Sequence, residues 1–249
     1  MLRLIQAEWI KLSTTASLWW TSALTLVFGI GMGALMGAFG GMFDGLTLEM
    51  PTELLVSGIY PFAMVVLAIQ AVMVVTTEYR YHIPSVLYSA EPKRWRVALA
   101  KLILYLVIAV LLTLVTVVLT IIVAQIAAGR VDFSVFTQDD TRRVLWAYPV
   151  TAALIVIFSQ GVGLLIRQTA GSVSLTLVWM LLLEDVAGML PKVGTYISEW
   201  GPFSHLSAFI LNNDSAELGV PFGAAAWYFL AWAAVLWIAG VVVLEKRDA

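Results

Sequence analysis

The residues best suited to chemistry form a charged island, Glu78-Tyr79-Arg80-Tyr81-His82-Ile83-Pro84 followed by Pro92-Lys93-Arg94-Trp95-Arg96 and Lys101, set between two long apolar runs. Only 12% of the chain is charged and 61% is hydrophobic, so a group this costly to bury belongs outside a bilayer, where it can pair with a soluble surface or with lipid headgroups. Glu184-Asp185 closes the apolar run Trp179-Met180-Leu181-Leu182-Leu183. Such a pair can carry a proton or a cation, and can equally end a helix or hold an ion pair. Thr113, Thr116 and Thr120 form a hydroxyl stripe, and with Gln160 and Trp179 they could line a path for a cargo. The same hydroxyls can instead bond to carbonyls of their own helix. Covalent catalysis has no constellation here: there is no Gly-x-x-x-x-Gly-Lys-Ser/Thr loop, no His-Glu-x-x-His helix and no Gly-x-Ser-x-Gly elbow. Cysteine is absent, and the only histidines, His82 and His205, fall on opposite sides of the expected membrane, so no metal site is expected.

Positioning these groups requires membrane helices. Apolar runs long enough to cross a hydrocarbon core of about 30 Å predict an all-α, polytopic bundle, a single transmembrane domain over 1–249. Six spans are expected, over residues 18–41, 56–77, 99–128, 145–166, 170–190 and 222–244. The first is too long for a signal-peptide core and has no small-residue cleavage site, so it is expected to remain as an anchor. Residues 78–98 form a loop in this scheme, and 191–221 an external segment whose apolar residues predict short amphipathic helices over the mouth of the bundle.

Orientation follows from the basic residues. With both termini inside, Arg3, Lys11, Arg80, Lys93, Arg94, Arg96, Lys101, Arg167, Lys246 and Arg247 are cytoplasmic, against Arg130, Arg142, Arg143 and Lys192 outside. Lys and Arg collect on the cytoplasmic face, so both termini are assigned there and the loop 78–98 with them. The net charge of −2, divided among loops, gives no basic face for nucleic acid.

Over residues 1–16, Leu4, Ile5, Trp9 and Leu12 share a stripe from which Arg3, Gln6 and Lys11 largely point away, the pattern of a helix lying in the interface; the alternative is an early start to the first span. Gly29, Gly33, Gly37 and Gly41 repeat every four residues and bare one ridge of that span. A helix packs there, from the same chain or from a second copy, because small residues let transmembrane backbones approach.

In order along the chain come Ala7-Glu8-Trp9-Ile10-Lys11-Leu12, Glu78-Tyr79-Arg80, Pro92-Lys93-Arg94, Ala100-Lys101 and Gly161-Val162-Gly163-Leu164-Leu165-Ile166-Arg167. This series resembles the bacterial ABC exporter permeases of the second ABC permease superfamily, departing from them at Tyr81-His82-Ile83-Pro84, where members often carry a glycine. The resemblance implies a dimeric permease in the bacterial cell membrane, paired with cytosolic ATP-binding subunits that hold ATP and magnesium, with no cofactor in this chain. It implies that Glu78, Tyr79, Arg80, Pro84, Lys93 and Arg94 hold or orient the coupling loop, and that the direction is export. Separately, an apolar cavity between dimer halves with a few hydroxyls and aromatics such as Trp179 would suit a lipophilic or amphiphilic substrate. A secondary transporter and a non-transporting assembly or sensor subunit fit the same hydropathy, although no internal repeat supports the former.

Overall fold

The computed structural model describes residues 1–42, 59–80, 93–129, 131–214 and 217–246. A short helix, α1 (Leu2–Ser13), is followed by α2 (Ala16–Met42). Thr14 and Thr15 separate them, their hydroxyls donating back to Ile10 O at 2.8 Å and Leu12 O at 2.7 Å. These local bonds compete with helix propagation at the break between the two helices. A π-turn, Tyr60–Met64, leads into α3 (Val65–Arg80), with Pro61 in the first turn, where its missing N–H costs nothing. Then come α4 (Arg94–Ala127) and α5 (Asp139–Ile166). The fifth crossing is composite: α6 (Thr169–Val178), a π-turn over Trp179–Leu183, and α7 (Glu184–Gly188). Two short helices, α8 (Gly194–Trp200) and α9 (Pro202–Ile210), precede α10 (Ala225–Lys246). Six stretches are long and apolar enough to cross a membrane: Ala16–Phe39, Pro61–Tyr79, Arg94–Ala127, Asp139–Ile166, Thr169–Gly188 and Phe222–Lys246.

α5 is the central post. Most of its apolar stretch is buried, whereas α2, the composite crossing and α10 leave most of theirs open, as helices bordered by lipid do. Gly161 and Gly163 make this central position possible. A Cβ on Gly161 would lie 2.7 Å from the Trp237 backbone nitrogen of α10, and one on Gly163 would lie 2.5 Å from the Val75 side chain of α3, so two glycines two residues apart admit two different neighbours. Small residues substitute here for the hydrophobic drive that lipid removes.

Three elements differ from the expectations of the sequence. The residues assigned to a loop over 78–98 are helical at both ends, since α3 runs through Arg80 and α4 begins at Arg94. α5 begins at Asp139, where the apolar pattern placed the span's start at 145. The outer segment does not simply lie over the mouth: α9 buries Phe203, His205, Leu206, Phe209 and Ile210. Phe203 meets Phe158 of α5 and Phe229 of α10 edge-on, ring centroids 5.0 and 5.1 Å apart, which extends the core to the end of the bundle.

Candidate functional site

The end of the bundle that carries α1 and the end of α10 gathers the groups that the sequence marks as chemical. Glu8 is the buried residue of α1, while Trp9 and Ile10 on the same helix are exposed. Glu78 lies in the last turn of α3 and Lys101 two turns into α4. The Lys101 ammonium donates to Glu8 Oε2 and Glu78 Oε1, both at 2.7 Å; Lys11 donates to Glu78 Oε1 at 2.6 Å and to Glu8 Oε1. Two acids and two lysines from three helices thus form one closed ionic cluster. Lys101 is only 5% exposed and Glu8 6%, so neither charge is tenable without the other, because an unpaired charge in a low-dielectric interior costs several kcal/mol. Burial of Lys11 works against its charge, but Glu78 and Glu8 beside it prevail and hold its ammonium above the ordinary lysine value.

The other expected coupling residues are placed around this cluster. Tyr79 lies beneath the Arg167 guanidinium, 5.4 Å from ring centroid to cation, and Arg167 Nη2 donates to Val243 O at 3.1 Å. Arg167 takes the left-handed conformation, φ 60°, that ends α5, and its N–H closes the last turn on Gly163 O. Lys93 is exposed at the N-cap of α4. Arg94 Nη1 donates to Leu244 O at 3.1 Å and the Trp95 N–H to Glu245 Oε1 at 2.9 Å, which ties the start of α4 to the end of α10. Arg80 ends α3 without a described side chain, and Pro84 lies outside the described residues. Glu78 is therefore directed into the bundle, and of this set Lys93 stands exposed.

The glycine ridge resolves to the same chain. A Cβ on Gly29 would run into the Thr116 side chain, one on Gly33 would lie 2.6 Å from Thr120 O, and one on Gly37 would run into the Ala124 backbone. The ridge is thus the α2–α4 seam, and Gly41 sits in the last turn of α2, its surroundings outside the described residues. Thr116 and Thr120, expected on a cargo path, are buried in this seam and donate to Leu112 O and Thr116 O of their own helix, both at 2.7 Å. Thr113 is buried on α4 and Gln160 on α5, and neither Gln160 amide atom has a partner among the described residues. Trp179 meets Phe158 of α5, two residues from Gln160, edge-on with ring centroids 5.4 Å apart, and reaches toward the end of the bundle that carries α9.

There, Glu184 Oε1 accepts from Trp179 Nε1 at 2.9 Å and from the Phe203 N–H at 3.0 Å, and Oε2 accepts from the Ser204 N–H at 2.7 Å and its hydroxyl at 3.0 Å. The carboxylate caps the N-terminus of α9. Arg143 caps its other end, donating to Phe209 O and, at 3.4 Å, to Ile210 O. Acid at the N-terminus and base at the C-terminus both match the helix dipole. Asp185 is exposed. A cavity of about 570 Å3 borders Glu184, Asp185, Trp179 and Ser204.

In the sequence Glu8, Lys11 and Lys101 stand as motif residues with no spacing that joins them to Glu78. The available signal was Lys101 itself, a lysine inside an apolar span that needs a carboxylate within reach.

A helical bundle with six apolar crossings, an ion-paired helix at one end and polar residues engaged in packing defines a multi-pass membrane protein. A family model described as ABC-2 family transporter protein matches residues 4–183, and the chain belongs to that family as a membrane component of transport, not itself catalytic. The match takes in the whole ionic cluster and ends just before Glu184. No curated protein matches the chain.

Proposed function

We propose that the chain is the permease half of a dimeric, ATP-driven exporter in the bacterial cell membrane, moving a lipophilic or amphiphilic substrate. Both termini are cytoplasmic in this reading, and a separate ABC subunit carries ATP and magnesium and docks on the chain between α3 and α4. The observation that carries it is the ionic cluster. It joins α1, the end of α3 and the start of α4 at the one end where residues 81–92 connect two spans, so a push on that connection is shared by three helices rather than absorbed by a loop. The excess of Lys and Arg at this end supports its cytoplasmic placement.

The test reverses charge at the connection between α3 and α4. Arg94 is held by Leu244 O and Lys93 stands exposed, so Lys93 is reversed together with Arg80. Lys93→Glu with Arg80→Glu should release the ATPase on copurification while the permease stays inserted and folded. Unchanged copurification and unchanged transport would overturn the docking assignment.

A further inference from the structure

The ionic cluster also forms one end of a cavity of about 590 Å3 between α1, the start of α2, α3 and α4. Glu8, Lys11, Glu78 and Lys101 line its charged part, and Met73 and Val74 of α3 with Leu104 of α4, about a turn along those helices from Glu78 and Lys101, give it an apolar wall. Gln70, 1% exposed and bonded to the Ser17 hydroxyl at 3.0 Å, lines the cavity two helical turns from Glu78, about 12 Å along the axis. Charged groups at the span ends beside an apolar wall match the chemistry of a lipid headgroup and the upper part of its chain.

The cluster's remaining valences specify the headgroup. Each lysine ammonium has three N–H donors and spends two on carboxylates. Glu78 takes both its bonds on Oε1, leaving Oε2 without a partner among the described residues. The charged part of the cavity therefore offers cationic donors and an anionic acceptor side by side with no net charge. A lone phosphate would meet the lysines but be repelled by Glu8 and Glu78; a lone amine would meet the reverse. A headgroup that carries both charges satisfies both.

We propose that this cavity binds a phospholipid whose headgroup joins a phosphate to a primary ammonium, the phosphate toward Lys11 and Lys101, the ammonium toward Glu78, and an acyl chain along Met73, Val74 and Leu104. The site rests on the chain's membrane placement and not on the ATPase reading, and it holds whether the lipid is cargo or a resident.

Native mass spectrometry of the full chain in detergent, supplied with phosphatidylethanolamine, phosphatidylglycerol or diacylglycerol, tests it. Phosphatidylethanolamine should be retained about tenfold better than either of the others. Soluble phosphoethanolamine should not displace it, since the apolar wall would then be empty. Val74→Trp fills the wall and leaves the cluster intact, so this variant should lose retention without losing its fold. Equal retention of the three lipids, displacement by soluble phosphoethanolamine, or wild-type retention by a folded Val74→Trp protein would each overturn the proposal.

Discussion

Lys101 has the least freedom to change of any residue in the terminus-bearing cluster, because removing it leaves two carboxylates to share the single ammonium of Lys11 with little water to turn to. Lys101→Met should lower stability by about 3–5 kcal/mol, read as a fall in Tm in detergent, and Glu8→Gln added to it should recover part of the loss. Lys11 is more open, and its pKa is raised in the folded state. Its contribution is therefore complete below the ordinary lysine value and disappears only as pH rises through the raised one. A cysteine-free crosslink or fluorescence report on α1 should be flat from neutral to mildly alkaline pH and show release only beyond it. At the far end, Glu184→Gln removes a charged acceptor from four donors and should cost about 1–3 kcal/mol while ATP-dependent transport continues with unchanged dependence on external pH. Abolished transport in a stable Glu184→Gln protein would make the acid a proton carrier. Individual charges were legible in the sequence; their partners were not. Glu8 and Lys101 are 93 residues apart, and no local period relates them.

Elements were more readable, for a physical reason: length and apolarity alone decide whether a helix can cross, and spacing by four decides whether it exposes a ridge. The Gly29–Gly33–Gly37 ridge announced close packing, but only the fold shows that α4 of the same chain fills it. Gly33→Leu should therefore destabilise the single chain, by about 1–3 kcal/mol or more where the backbone cannot yield. Gly31→Ala is the control, with nothing within 4 Å of an added Cβ, and should be neutral or slightly stabilising. Tm of both variants in the same detergent separates a packed seam from a general intolerance of the helix. The burial of α9 was not legible. Its apolar residues suit a helix resting on a membrane surface as well as one inserted between α5 and α10, and what distinguishes the two is the pair of charged caps supplied from distant spans.

At the scale of the molecule, the chain is fastened at both ends by ionic devices of different kinds. One joins side chains to side chains across α1, α3 and α4; the other joins side chains to the bare backbone of α9. The second has a consequence for how the chain is made. Glu184 and Arg143 both leave the ribosome before residues 202–210, whose backbone they cap. Until α9 arrives, the nascent protein lacks the helix ends to which these two side chains donate or from which they accept, and a charge near the end of an apolar crossing is costly where its bonds are unmade. The α2–α4 seam, by contrast, is complete once residue 124 has been inserted. Biogenesis should therefore run from the N-terminal half outward, with α9 as the closing piece. A chain truncated before Pro202 should insert its first spans normally yet be recognised by membrane quality-control proteases.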